Sequence, residues 1–194
     1  MIAIIDYKTG NLRSVKNALA RLGAEFRLTA DPAEIQAASH VILPGVGNAA
    51  EAMSNLRDSG LVPTILRLRR PVLGICVGMQ IMCRHSEEGD VECLGVFDAF
   101  VKKFIPAPDL KVPHTGWNNL SNLESKLFKG IESGAFVYFV HSYYAGLCPD
   151  TIATARQGDM FSAALKYENF YGVQFHPEKS GEVGERIIKN FIEL

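Results

Sequence analysis

The chain has 194 residues, with 20 basic and 21 acidic side chains and a formal net charge of -1; that length suits one domain, residues 1–194, burying roughly 70 % of its unfolded surface. Nearly cancelling charge, with no long block of one sign, argues against nucleic acid or a membrane surface as partner. The opening "MIAIIDYKTGNL" lacks a basic n-region and no segment approaches ~18 consecutive apolar residues, so a soluble, cytoplasmic protein is expected.

In chain order, "IAIIDY" (2–7) reads as a strand, and Leu12, Val15, Ala18, Leu19 and Leu22 follow at helical spacing. "EFRLT" predicts a strand, "DPAEIQAA" a short helix with Asp31 as cap and Pro32 at its first position, and "HVILP" another strand. A helix after "GVGN", a helical stretch from about Leu61 to Arg69 and the buried run "PVLGIC" lead to a predicted helix over "VGMQIMCRH". Strands alternating with helices over the first 85 residues imply an α/β fold, a parallel sheet covered on both faces. The second half is strand-rich: "LGVFDAFVKKF", "AFVYFVHSYY", "TIATARQ", "FSAALKY" and "FYGVQFH", the last two joined by a turn at Glu168-Asn169. A final helix covers "GEVGERIIKNFIEL", with Ser180 as its expected cap. The Pro-rich connection "IPAPDLKVP" does not read as a domain boundary.

The four cysteines show no C-x-x-C pair and no disulfide-scaffold density, so all are read as reduced thiols, and Cys83, Cys93 and Cys148 as small apolar residues. Cys76 differs because "LGICVGMQ" (73–80) sets it between two glycines where strand gives way to helix. Such a turn strains the nucleophile's backbone and exposes the thiol, while amides at a helix N-terminus favour the thiolate. The Val77 N–H then points where an oxyanion forms. The same pattern also describes a buried cysteine in a tight connection. In "GVQFHPEKS" (172–180), side chains two apart on an extended strand share a side, so Glu178 can orient His176 while the other ring nitrogen faces a thiol. A surface His-Pro-Glu loop is the alternative. "LPGVGN" (43–48), at the end of the preceding strand, offers further backbone N–H groups, although glycine-rich turns are often only structural and no phosphate-loop G-K-[ST] follows.

These three segments in this order resemble the class I glutamine amidotransferases, with Cys76, His176 and Glu178 matching the triad. Within that family, "DYKTGNL", "PGVG", "GICVGMQ", "HTGWN", "YFVHSY" and "GVQFHPEKS" are similar to the glutaminase subunits of imidazole glycerol phosphate synthases, over essentially the whole chain. The resemblance implies a three-layer fold and hydrolysis of glutamine through a Cys76 thioester, with no cofactor or metal. It places the oxyanion donors at Val77 and, after adjustment of the strand, Val46, and glutamine binding at Gly47, Gln80, Glu88, Ser142 and Tyr143. For Glu88 the alternative is a solvated charge in "SEEGD". Ammonia would pass to a cyclase subunit of (β/α)8 barrel type in a heterodimer, met by Asn11, Trp117, Tyr138 and Lys179; packing is an alternative for Trp117 and Tyr138. Departures are Lys8, where a small residue is frequent, and Val77, where Leu is usual and the backbone does the work. If the Gly45-Val46-Gly47 segment rests with its N–H turned away, an unpartnered chain lacks one donor, a loss that typically costs ~100- to 1,000-fold in rate. Other readings are a glutaminase serving a different synthase, a thiol hydrolase of the α/β-hydrolase kind, disfavoured because the acid follows the histidine, and a non-catalytic regulatory subunit.

Overall fold

The computed structural model describes residues 1–8, 12–108 and 110–194. Strands β1 (Ile2–Ile5), β2 (Phe26–Thr29), β3 (His40–Leu43) and β4 (Val72–Ile75) alternate with helices α1 (Arg13–Arg21), α2 (Pro32–Ala37), α3 (Ala49–Asp58) and α4 (Val62–Leu66). A single turn, α5 (Val77–Gln80), follows β4. Then come β5 (His85–Ser86), β6 (Val91–Glu92), β7 (Phe100–Lys103), β8 (His114–Asn119), β9 (Phe136–His141), β10 (Tyr143–Ala145), β11 (Thr151–Gln157), β12 (Asp159–Tyr167), β13 (Phe170–Val173) and the closing helix α6 (Gly181–Ile192).

Seven strands form the central sheet in the order β11-β12-β13-β4-β3-β1-β2. From β13 to β2 every pairing is parallel, and β12 and β11 add an antiparallel edge. β1 and β4 are buried at every residue, as expected of central parallel strands covered on both faces. Register brings the carboxyl ends together: Leu43 pairs with Gly74, and Ile75 with Val173. Residues 44–47, Cys76 and residues 174–176 therefore leave the sheet side by side. A four-stranded sheet, β10-β7-β5-β6, and a two-stranded ribbon, β8-β9, complete the fold.

Local chemistry explains the early elements. Asp31 caps α2 by accepting the Ala33 N–H at 2.8 Å, and Asn48 caps α3 through the Glu51 N–H at 2.8 Å. In α1, Val15, Ala18 and Leu19 form the buried stripe. Glu168 (φ 49°) and Asn169 turn β12 into β13, with Tyr167 opposite Phe170.

Several expected elements need correction. The helix after Cys76 is one turn, because Ile81, Met82 and Cys83, although buried, give their carbonyls to Leu94, Val96 and Gly95 at 2.8–2.9 Å rather than to a continuing helix. Residues 94–97 are this clasp, and only Phe100–Lys103 is strand. α4 stops at Leu66, since Arg67 and Leu68 close i→i−3 bonds and Pro71 turns Arg70 away from helix. Ser180 occupies the N-cap position of α6 without capping it. Its hydroxyl donates to the His176 carbonyl at 2.6 Å and accepts the Tyr138 N–H at 2.9 Å.

Candidate active site

Cys76 sits on the corner between β4 and α5 with φ 53° and ψ -111°, a conformation that a side-chain-bearing residue adopts only under constraint. Two contacts impose it. The Cys76 N–H is held by the Val173 carbonyl at 2.8 Å. Gly78 lies so close under β3 that a Cβ there would be 2.0 Å from the Leu43 carbonyl oxygen, so only glycine lets the turn dock. With α5 so short, activation rests on the immediate amides of the turn and on side chains, not on a long helix dipole.

His176 Nδ1–H donates to Glu178 Oε1 at 2.8 Å, leaving Nε2 for the thiol. Glu178 is not on an extended strand: β13 ends at Val173, and a 3-10 turn over Pro177–Lys179 swings the carboxylate under the ring. Both side chains are 4 % exposed. Burial alone favours the neutral imidazole, but hydrogen bonds to Cys76 and Glu178 and their negative charges outweigh it and raise His176 to about 9. The imidazolium is thereby favoured beside the sulfur. The other thiols are held in the protonated form by contrast: burial pushes Cys83 well up, Cys93 to about 11 and Cys148 up, and all four cysteines are free.

A cavity of about 240 Å³ opens at this corner, below the usual size for drug-like ligands and suited to a small amino acid. Cys76, His176, Val46, Val77, Gly47, Gln80, Glu88, Ser142 and Tyr143 all line it. Gly47 adopts φ 90° on the segment that carries Val46 past the sulfur. Glu88 is not a solvated charge: its Oε2 accepts the Ala49 N–H at 2.8 Å, tying the loop after β5 to the start of α3. Partial burial raises its pKa, opposed by that N–H, so a carboxylate in the cavity wall gains from a cationic partner. Gln80 Nε2 donates to the Tyr143 carbonyl at 2.9 Å and to Gln174 Oε1 at 3.0 Å.

Three contributors escape sequence reasoning. Gln174 is fully buried and directs Nε2–H at Cys76 Sγ, 3.7 Å away; its place two residues before His176 on one side of the chain is the signal that reveals it. The Val140 carbonyl lies 3.9 Å from the same sulfur. Ser180, with the His176 N–H donating to the Tyr138 carbonyl at 2.9 Å, fixes the backbone under the imidazole.

Of the residues expected to meet a partner, Trp117 is 56 % exposed, and Trp117 and Tyr138 are cross-strand neighbours in edge-to-face contact at 6.0 Å. Lys179 Nζ lies 6.0 Å from the Tyr138 ring. Asn11 lies outside the described residues.

A strained cysteine elbow at the carboxyl end of a parallel strand, faced by a His–carboxylate pair, defines a thiol-dependent amide hydrolase site. The chain belongs to the class-I glutamine amidotransferase family, whose model matches residues 3–194. It is 57 % identical over 194 residues to the imidazole glycerol phosphate synthase subunit HisH of Bacteroides fragilis (strain YCH46), covering 100 % of this chain and 99 % of that protein. To the HisH subunit of Bacteroides thetaiotaomicron it is 53 % identical, with the same coverage. Among solved structures, PurLQS from Thermotoga maritima shares the fold with a TM-score of 0.72 at 17 % identity, covering 99 % of this chain and 97 % of that one.

Proposed function

We propose that residues 1–194 act as a single cytoplasmic glutaminase domain, the ammonia-producing subunit of an imidazole glycerol phosphate synthase. The observation that carries this reading is the convergence of the Cys76 sulfur, the Glu178-bound His176 and the half-buried Glu88 carboxylate on one small cavity.

Cys76 sulfur attacks the side-chain amide carbon of glutamine while Glu88 receives the α-ammonium group. Charge developing on the amide oxygen is met by the backbone N–H of Val77 and, after adjustment of the Gly45-Val46-Gly47 segment, by that of Val46. The C–N bond breaks as His176 gives its proton to the departing nitrogen, leaving a glutamyl thioester and ammonia. Water, deprotonated by the now neutral His176, cleaves the thioester to glutamate and restores the thiol. Gln174 Nε2–H steadies the sulfur's negative charge before attack and again as the thioester is cleaved.

The ammonia is handed to a cyclase subunit of (β/α)8 barrel type in a heterodimer. The outward side of the β8-β9 ribbon supports this: Trp117, Phe136 and Val140 are exposed on the face that carries Tyr138, and Lys179 belongs both to this face and to the cavity wall. A partner seated there closes over the side from which ammonia leaves.

Glutamate release tests the chemistry. Wild type should form glutamate and a glutamyl adduct on Cys76 detectable by mass spectrometry after acid quench, and Cys76→Ala should lose about 10⁴-fold or more in rate and show no adduct. Equal rates in the two proteins would overturn the reading.

A further inference from the structure

On the inward side of the ribbon two histidines face each other, His141 in the cavity wall and His114 behind it. His114 and His141 are cross-strand partners, each 6 % exposed, with His114 Nδ1 2.9 Å from His141 Nε2. Phe139 stacks on His114 at 4.8 Å, and Phe104 and Phe161 flank His141 at 5.3 Å.

The direction of every hydrogen bond in this group is set from its two ends. A carbonyl only accepts, so His141 Nδ1, 2.7 Å from the Tyr143 carbonyl, carries the proton, and His141 Nε2 must accept from His114 Nδ1–H. His114 Nε2 is then an acceptor, facing Asn118 Nδ2 at 3.2 Å. Asn118 is itself oriented, because its Nδ2 donates to the Arg156 carbonyl at 2.9 Å and its Oδ1 accepts the Asn119 N–H at 2.8 Å. Burial keeps both rings uncharged, lowering His114 to about 4 and His141 to about 3, the latter also disfavoured by the charges of His114 and His176. A proton added to either ring would set two N–H groups against each other.

The Tyr143 carbonyl is where this pair joins the hydrogen bonds that lead to Cys76. It also accepts Gln80 Nε2–H, whose second proton goes to Gln174 Oε1, which in turn leaves Gln174 Nε2–H directed at the Cys76 sulfur. Rotating the Gln80 amide by half a turn would reverse Gln174 and set an oxygen against the sulfur. We propose that His114 and His141 are positioning residues of the glutaminase: as a pair of Nδ1–H tautomers they hold the Tyr143 carbonyl that orients Gln80 and, through Gln174, the nucleophile. What Cys76 does rests on the glutaminase reading.

The test combines tautomers with kinetics on the full chain. Two-bond ¹⁵N–¹H correlation of the imidazoles should show both rings as Nδ1–H tautomers. His141→Phe keeps the aromatic packing and cuts the link; with the fold intact by circular dichroism, it should lower kcat for glutamine about 10- to 100-fold and slow iodoacetamide alkylation of Cys76. His114→Phe should act in the same sense, and His114→Asn, which places an amide N–H near the lost Nδ1–H, should recover part of the rate. Wild-type kcat and alkylation in folded His141→Phe, or an Nε2–H tautomer at either ring of the wild type, would overturn the proposal. If His141→Phe does not fold, the His114 pair of variants and the wild-type tautomers decide it. If the wild type releases no glutamate, the glutaminase reading falls while tautomers and alkylation still judge the positioning role.

Discussion

The two halves of the central sheet reach the same cavity by different means. The parallel half, β1 to β4, contributes backbone: the elbow at Cys76 and the Gly45-Val46-Gly47 segment are placed by a strand end and a close glycine contact. The later half contributes side chains, placed by side-chain hydrogen bonds both near and far along the chain: His176 over Glu178 two residues on, Ser180 joining residue 176 to residue 138, Gln174 against Gln80. The nucleophile is thus placed by backbone packing against Val173 and Leu43 and its activation by side-chain hydrogen bonds, so damage in the two halves should differ in kind.

The largest effect should come from these hydrogen bonds. Glu178→Gln keeps the size of the side chain but removes the charge that orients His176, and should lower the glutaminase rate about 100-fold or more with little change in KM for glutamine. Steady-state kinetics check this; a rate near wild type would mean that the carboxylate only packs.

In the parallel half the corresponding break is Gly78→Ala. Its Cβ would sit 2.0 Å from the Leu43 carbonyl, so the turn must move away from β3. A loss of at least ~1–3 kcal/mol in urea unfolding is expected, as for overpacked cores. A stability equal to wild type would show that the elbow is not clamped from below.

The smallest effect is the pH response, in which the two histidine sites act oppositely. His176 is raised to about 9, so its contribution to stability is complete below its unfolded value near 6.5 and is lost as pH rises through about 9. His114 and His141 are lowered to about 4 and about 3, so their contribution is complete above about 6.5 and is lost as pH falls toward those values. Unfolding midpoints should decline on both sides of neutrality. Cys76→Ala, which removes one cause of the His176 shift, should flatten the alkaline decline and leave the acid one.

Legibility in the sequence follows the same division. Strands β1 to β4 and the cap Asp31 depend on neighbours within a few residues and are legible, and the G-x-C-x-G pattern marks the elbow although Val173 and Leu43 hold it. Glu88 is ambiguous because only the fold carries the "SEEGD" loop against the start of α3. "MQIMCRH" reads as helix because its apolar spacing is helical, yet the carbonyls of Ile81, Met82 and Cys83 are taken by residues 94–96, a competition invisible to periodicity. Ser180 reads as a cap for the same reason: a serine before a helix is usually one, and only the approach of β9 gives it other partners. The segment "AFVYFVHSYY" reads as one strand, but it breaks at Ser142 and serves two sheets. That break exposes the Tyr143 carbonyl to Gln80 and His141.

Whether this glutaminase serves a cyclase is decided by glutamate release from the intact chain, alone and with a cyclase subunit plus its nucleotide ligand. The rate should be low for the chain alone and rise about 100-fold or more when both are present, the size of one oxyanion donor. Steady activity indifferent to the cyclase and its ligand would contradict that role.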